Sequence, residues 1–232
     1  MIREDHSTSV GHDADNRTAD AAAATRAPHI VGLGGTTREH STSEQALRHV
    51  LALADVAGAR TTLLSAPHLL LPLYGTATPD DPQVAHLLQV VASADALVIA
   101  SPAYHGGISG LVKNALDYLE ALRQRPEPYL DGRAVGCIIS TLGLQAGGTA
   151  LSSLRASVHA LRGWPTPLGV VLDSSTPLFD ADGEPVNPTD RERLLTVAAH
   201  VVHAARARAF ASTSGIPPVQ EIQRTLRQRS DA

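Results

Sequence analysis

A chain of 232 residues with 43% hydrophobic content can bury one sizeable core, so a single domain with tails is expected. The formal net charge of −4 carries no overall basic signature for nucleic acid. A single cysteine excludes an intrachain disulfide framework and any cysteine-rich zinc site.

Residues 1 to 27, "MIREDHSTSVGHDADNRTADAAAATRA", lack periodicity and large apolar side chains. Such a segment cannot offset its ordering entropy, and a disordered arm is expected there. The short "AAAA" at 21–24, preceded by Asp15, Arg17 and Asp20, is no uninterrupted leader core. No apolar run approaches the roughly 18 residues needed to span a bilayer. The expectation is a cytoplasmic protein with no membrane association.

Alternation of short apolar runs with helical periods begins at residue 29. "HIVGLG" (29–34) predicts the first strand, and Leu47, Val50, Leu51 and Ala54 the helix after it. "TTLLSA" (61–66) predicts the second strand, followed by the period Val84, Leu87, Leu88 and Val91. "ALVIAS" (96–101) precedes Leu111, Val112, Ala115 and Leu119, and "AVGCIIS" (134–140) precedes Leu151, Leu154, Val158 and Leu161. Cys137 reads as a buried strand residue. "PLGVVLD" (167–173) is the fifth strand. A last helix is expected after Asn187-Pro188, with Thr189 and Glu192 in capping-box spacing and Leu194, Leu195, Ala198, Val201, Val202 and Ala205 on its stripe. That stripe exceeds what a five-stranded core requires and points to an oligomer interface. The strands are continuously apolar, as in parallel sheets covered on both faces. Five βα units imply a three-layer α/β/α sandwich spanning residues 28–211, with a tail at 212–232 set off by Ile216-Pro217-Pro218.

In such a sheet, ligands bind beyond the carboxyl ends of the strands. Three strand-exit loops are unusual in composition. In "GLGGTTREHSTSEQ" (32–45), Gly34 and Gly35 permit a tight turn, five hydroxyls follow, and Arg38 is the one fixed cation. A loop of this kind before a helix suits a phosphate, although Ser41 and Glu44 also have capping-box spacing. Thr37 stands where a dinucleotide fingerprint needs its third glycine, and no acidic residue ends the second strand. A nucleotide P-loop fails because no Gly-Lys-Ser/Thr follows. A terminal monophosphate fits better. In "SPAYHGGISG" (101–110), Pro102 sets the strand exit while Gly106 and Gly107 let a flat ligand approach the backbone beside Tyr104. His105 is a possible base or a simple hydrogen-bonding group. "STLGLQAGGTA" (140–150) adds Ser140, Thr141, Gly147 and Gly148 at the same sheet edge. No nucleophile elbow, paired carboxylates or metal-ligand spacing occurs, as expected where a cofactor carries the chemistry.

"GGTTREHSTS" resembles the phosphate loop of the NADPH-dependent FMN reductase family, usually Gly-Ser-x-Arg-x-x-Ser-x-Asn. Gly35, Thr36, Arg38 and Ser41 match, and Ser43 replaces Asn. "SPAYHGGISGLVKNALDYL" resembles that family's Pro-x-Tyr-Asn-Gly-x-x-Pro-Gly-x-x-Lys-Asn-x-x-Asp. Pro102, Tyr104, Gly106, Gly110, Lys113, Asn114 and Asp117 match, while His105 replaces Asn and Ser109 replaces Pro. The resemblance covers about residues 29–175 and is closest to the branch that feeds reduced flavin to monooxygenases.

It implies a flavodoxin-like fold with a five-stranded parallel sheet of order 2-1-3-4-5, and a homodimer or homotetramer. The FMN phosphate would sit on Gly35, Thr36, Arg38, Ser41 and Ser43. The isoalloxazine would lie along Pro102, Ala103, Tyr104, His105 and Gly106, with Thr141, Gly147 and Gly148 at its other edge. NADPH or NADH would pass hydride to flavin N5 in a ping-pong cycle, with no catalytic side chain and no metal required. Lys113 and Asn114 would pack the helix and brace a loop. A quinone, azo or nitro reductase holding FMN tightly is an alternative. A flavodoxin-like electron carrier is disfavoured by the modest charge of −4 and the aromatic content of 3%. A binding module without flavin is the remaining option.

Overall fold

The computed structural model describes residues 26–230 apart from 39, 77, 79 and 218, so nearly all of the expected arm lies outside the described residues. The chain divides into a unit of residues 27–208 and a second unit that includes residues 209–230.

The first unit alternates strands and helices in the expected order. Strand β1 (His29–Gly34) leads to helix α1 (Thr42–Val56), then β2 (Arg60–Leu64), α2 (Ala66–Leu69) and α3 (Pro82–Ala92). Strands β3 (Ala96–Tyr104) and β4 (Gly107–Ile108) precede α4 (Gly110–Tyr118), which runs into a 3-10 turn, Leu119–Leu122. Next come β5 (Ala134–Thr141), α5 (Leu144–Ala160), β6 (Trp164–Pro165) and β7 (Val170–Asp173). Helix α6 (Pro188–Thr213) follows, and α7 (Val219–Ser230) closes the described chain. The Asn187 side-chain oxygen accepts from the Thr189 N–H (2.8 Å), with Pro188 in the first turn. Asn187 therefore starts α6, in place of the expected Thr189 box.

The three-layer architecture is as expected, but the five-stranded order 2-1-3-4-5 is corrected. The sheet has seven strands, ordered β2-β1-β3-β5-β6, with β4 on β3 and β7 on β5. Two local causes account for the difference. The fifth position is split, β6 pairing with Ala134–Val135 and β7 with Ile138–Thr141. Pro165 and Pro167 have no N–H to give the ladder, and the Thr166 carbonyl accepts from the Arg155 guanidinium instead (2.9 Å). The added strand β4 folds back antiparallel on β3, pairing Ala103 with Ile108 and Tyr104 with Gly107.

Alternate residues of the parallel strands serve two cores. Ile30, Val98, Ile138, Val170 and Leu172 pack under α1 and α6. Val31, Leu33, Leu97, Ile99, Val135, Cys137 and Ile139 pack under the helices of the other face. Small strand residues set the depth of the first layer: a Cβ on Gly32 would lie 2.6 Å from Leu51, and one on Gly136 would lie 2.7 Å from Val197. The α6 stripe thereby finds its use. Leu194, Ala198, Val201, Val202 and Ala205 are buried on this face of the sheet beside Val197, which corrects their expected place at an oligomer interface; of the expected stripe Leu195 alone stays exposed. At the amino ends of the strands, the buried Arg133 guanidinium donates to the carbonyls of Ala94 (2.8 Å) and Ala92 (3.1 Å). The carboxyl ends carry the loops that could receive a ligand.

Candidate functional site

The β1–α1 loop leaves the sheet tightly. Gly34 has φ 146°, and the Gly35 N–H donates to the Ala100 carbonyl (3.1 Å), which seats the loop on β3. The Thr36 hydroxyl accepts from the Arg38 N–H (3.1 Å), folding residues 36–38 into a hydroxyl-braced turn. Ser41 caps α1 by accepting from the Glu44 N–H (3.4 Å), and its oxygen lies 3.4 Å from that of Ser43. Ser41 therefore caps the helix and, at the same position, faces the cleft. Glu44, the acidic residue of this first turn, is bound by Arg48 at 2.9 and 2.7 Å. That pairing reduces its opposition to an anion at the helix end, where the positive dipole and unpaired N–H groups point.

"SPAYHGGISG" is a β-hairpin. His105 (φ 52°) and Gly106 (φ 82°) are both left-handed, the requirement for the two-residue turn that matches strand twist. The Ser101 hydroxyl accepts from the Ser109 N–H (2.8 Å), and Ser109 caps α4 through the Val112 N–H (3.3 Å). Ser109 thus supplies a helix start where the family pattern has proline. Gly106 lies against Thr149 of α5 at 3.7 Å, measured from the Cβ it lacks. The hairpin leaves Tyr104 54% exposed.

The third wall is the β5–α5 turn. The Thr141 hydroxyl donates to the Gly143 carbonyl (2.8 Å) and accepts from its N–H (3.1 Å). Gly143 starts α5 without a side-chain cap, so the helix presents bare first-turn amides. The Ser174 N–H donates to the Thr141 carbonyl (2.7 Å), bringing the exit of β7 to the same place.

These loops enclose a cleft of about 450 Å³, within the range of roughly 300–1,000 Å³ for ligand sites. Of the expected site residues, Thr36, Arg38, Ser41, Ser43, Pro102, Ala103, Tyr104 and Thr141 line it together. Gly35, His105 and Gly106 stand in the loops behind or beside this lining. Gly147 does not reach it: a Cβ there would lie 2.4 Å from Val171 and 2.8 Å from Thr141, so its role is to seat α5 on the sheet. Gly148 is on the exposed side of the same helix. Thr42, Ser140, Leu142, Gly143, Ala146 and Ser174 line the cleft without having been singled out as ligand contacts. Ser140 and Gly143 fall in a loop the sequence marked. Ser174 carries no such signal, because β7 reaches the cleft only through its pairing with β5. Arg38 and the α1 terminus make one end cationic, and the α5 terminus adds a second set of amides beside the exposed Tyr104. A phosphate at the first end and a flat ring at the second match this donor set. Among the described residues, no cluster of three or more His, Cys, Asp or Glu could hold a metal. Buried Cys137 has its thiol pushed up to about 12 by desolvation, so it offers no nucleophile.

A family model described as NADPH-dependent FMN reductase matches residues 28–177. An NADPH azoreductase of Bacillus sp. (strain OY1-2) is 34% identical over 116 residues, covering 49% of this chain and 60% of that protein. An NAD(P)H-dependent FMN reductase of Pseudomonas aeruginosa is 26% identical over 176 residues, covering 70% of this chain and 87% of that protein. The match thus spans less than two thirds of the azoreductase's length and most of the FMN reductase's. Among solved structures, the flavoenzyme NAD(P)H:(acceptor) oxidoreductase from Paracoccus denitrificans superposes with a TM-score of 0.65 at 17% identity. That superposition covers 78% of this chain and 98% of the other, and bears on the fold alone.

Proposed function

The chain belongs to the NADPH-dependent FMN reductase family, and from that premise we propose that it is an NAD(P)H-dependent FMN oxidoreductase working through the cleft described above. Thr36, Arg38, Ser41 and Ser43, with the first N–H groups of α1, hold the FMN phosphate. Gly35 lets the loop turn around it. Pro102, Ala103, Tyr104, His105 and Gly106 carry the isoalloxazine, and Thr141 with the α5 amides borders its other edge. FMN, when bound, supplies the redox chemistry by taking hydride at N5 from NADH or NADPH and passing two electrons to an acceptor in a second half-reaction. The protein orients the rings, and the uncapped α5 terminus favours negative charge on the reduced form. The observation that carries this reading is one cleft with a cationic, hydroxyl-lined end at a helix N-terminus and an open aromatic platform at the other.

The test is anaerobic rapid mixing of the FMN-loaded protein with NADH and NADPH separately. Flavin bleaching in a half-reaction and parallel double-reciprocal plots are expected. Intersecting plots without a half-reaction would sink the ping-pong reading.

Two acceptors remain in view. One is free flavin, delivered to a monooxygenase. The other is an azo, quinone or nitro compound, a reading supported by the relative named as an azoreductase. Colourless purified protein that reduces added FMN supports flavin delivery. Protein that stays yellow through gel filtration supports the second reading. A homodimer or homotetramer is part of the proposal, supported by the exposed apolar side chains Leu70, Leu73 and Tyr74. Light scattering on the eluted peak tests it.

A further inference from the structure

The cleft is graded in charge. Arg38 is the one charged side chain among the described residues that line it, and it stands at the phosphate end. The mouth is formed by the hairpin around Tyr104 (102–110), the β5–α5 turn (140–146) and the exit of β7 (174–176). None of these stretches contains Lys, Arg, Asp or Glu. Apolar surface stands there instead. Leu142 lines the cleft and is nevertheless 80% exposed, and Tyr104, also exposed, lines it as well. Leu144, two residues on, is 68% exposed. The Thr141 hydroxyl bonds both the N–H and the carbonyl of Gly143, which fixes the turn on either side of Leu142. Single apolar side chains at a surface are ordinary, but two that line one cleft, between loops without charge, bear on what it receives.

We infer that the acceptor is an uncharged, flat, apolar two-electron acceptor such as a quinone, selected at the mouth by Leu142; this rests on the flavin reading above. The acceptors named there part company on charge. Free FMN brings a phosphate with about two negative charges. Arg38, the lining cation, is already matched to the phosphate of the bound FMN. A second phosphate would lose hydration at a mouth whose loops hold no cation, an unfavourable exchange. A sulfonated or carboxylated azo dye meets the same obstacle. An uncharged ring loses no such hydration, and its apolar surface leaves water together with that of Leu142 and Tyr104. In net terms NAD(P)H gives a hydride and solvent a proton to the quinone, which leaves as the hydroquinone, and NAD(P)+ is the other product. Leu142 takes no part in that exchange; it sets which acceptor is held.

The test compares menadione with naphthoquinone sulfonate, acceptors that share a ring and differ in charge. FMN-loaded protein is used at about pH 8, where histidine is ordinarily neutral. The ratio of the two kcat/KM values is read within each variant, so that any change in FMN loading cancels. Leu142→Lys should move the ratio toward the sulfonate by roughly 5- to 50-fold, and by less at high salt. Val56→Lys adds the same charge at the opposite end of α1, on a residue 88% exposed, and should keep the wild-type ratio. A readout independent of turnover is equilibrium dialysis of coumarin and coumarin carboxylate against the oxidised, FMN-loaded protein without nicotinamide. Wild type should retain coumarin in preference to the carboxylate, and Leu142→Lys should reverse the order. A ratio unmoved by Leu142→Lys, retention of the carboxylate over coumarin by wild type, or free FMN reduced faster than menadione overturns the inference while the FMN reductase reading stands. A Leu142→Lys variant that elutes as a smaller species with its ratio unmoved assigns the leucine to a contact with a second copy and overturns the inference equally. Failure of wild-type protein to bind FMN, or of bound FMN to be reduced, overturns both.

Discussion

At residue scale, glycines that look alike in the sequence do different work. A Cβ on Gly34 would lie 1.9 Å from the Ala100 carbonyl oxygen, and its φ of 146° is one that L side chains rarely adopt. Gly34→Ala should therefore cost about 3 kcal/mol or more in urea unfolding, because the obstacle is backbone that cannot give way. Gly147 and Gly148 are adjacent, yet only Gly147 faces the sheet. Gly147→Ala should cost about 1–3 kcal/mol by overpacking. Gly148→Ala, with nothing within 4 Å of its Cβ, should instead stabilise by about 0.5–1 kcal/mol through helix propensity. Equal urea midpoints for the two variants would contradict this assignment. Arg38→Ala should weaken FMN binding roughly 10- to 100-fold by fluorescence quenching, the value of a charge-assisted hydrogen bond to phosphate. Arg38→Lys should recover only part, since lysine keeps the charge but loses the planar fork.

At the scale of elements, the Lys-Asn pair of α4 resolves into a brace. The Asn114 side chain accepts from the Tyr74 N–H (2.8 Å) and donates to the Pro72 carbonyl (2.9 Å). The Tyr118 hydroxyl donates to the same carbonyl (3.0 Å), and its ring meets Tyr74 edge-on at 5.4 Å. Asn114→Ala should accelerate hydrogen exchange at the Tyr74 amide by about tenfold or more while leaving the β3 amides protected, because the loss is local. Exchange unchanged at Tyr74 would mean that the loop is held by its apolar contacts instead. The hairpin at 105–106 shows what a short motif conceals. "HG" lacks the familiar Asn-Gly signature, so β4 could not be anticipated, although the same two residues were marked as a place of close approach.

At the scale of the molecule, stability should carry a pH dependence rooted in one buried histidine. His49 of α1 has a side chain only 5% exposed, with its Nδ1 3.6 Å from Glu184 and its Nε2 buried without a partner. Burial lowers its pKa below the ordinary 6.5; the Glu184 carboxylate opposes that shift and the Arg191 guanidinium adds to it. The unfolded chain then binds more protons than the folded one as pH falls below about 6.5. Stability should decline over that range, until the lowered native value is passed, and should show no contribution from His49 at pH 7.5. His49→Leu should flatten this part of the profile in thermal melts compared at pH 7.5 and 5.5. An identical slope in the variant would assign the acid sensitivity elsewhere.

Strand and helix periods sufficed for the layered α/β/α fold, because burial on both faces writes itself as continuous apolar runs and burial on one face as a 3.6-residue stripe. Loop composition likewise marked the sheet edge where the cleft lies, since hydroxyls and glycines gather where backbone must meet a ligand. Local sequence carries such information because it depends on each residue's own conformational and solvation preferences. The division of β6 from β7, the inward face of Gly147, the use of the α6 stripe and the arrival of Ser174 at the cleft were settled only in three dimensions. Each depends on which distant segment lies alongside: Val171 against Gly147, the whole sheet against α6, and β5 against β7. Those neighbours are chosen by packing between elements far apart in the chain, and no window of sequence contains both partners.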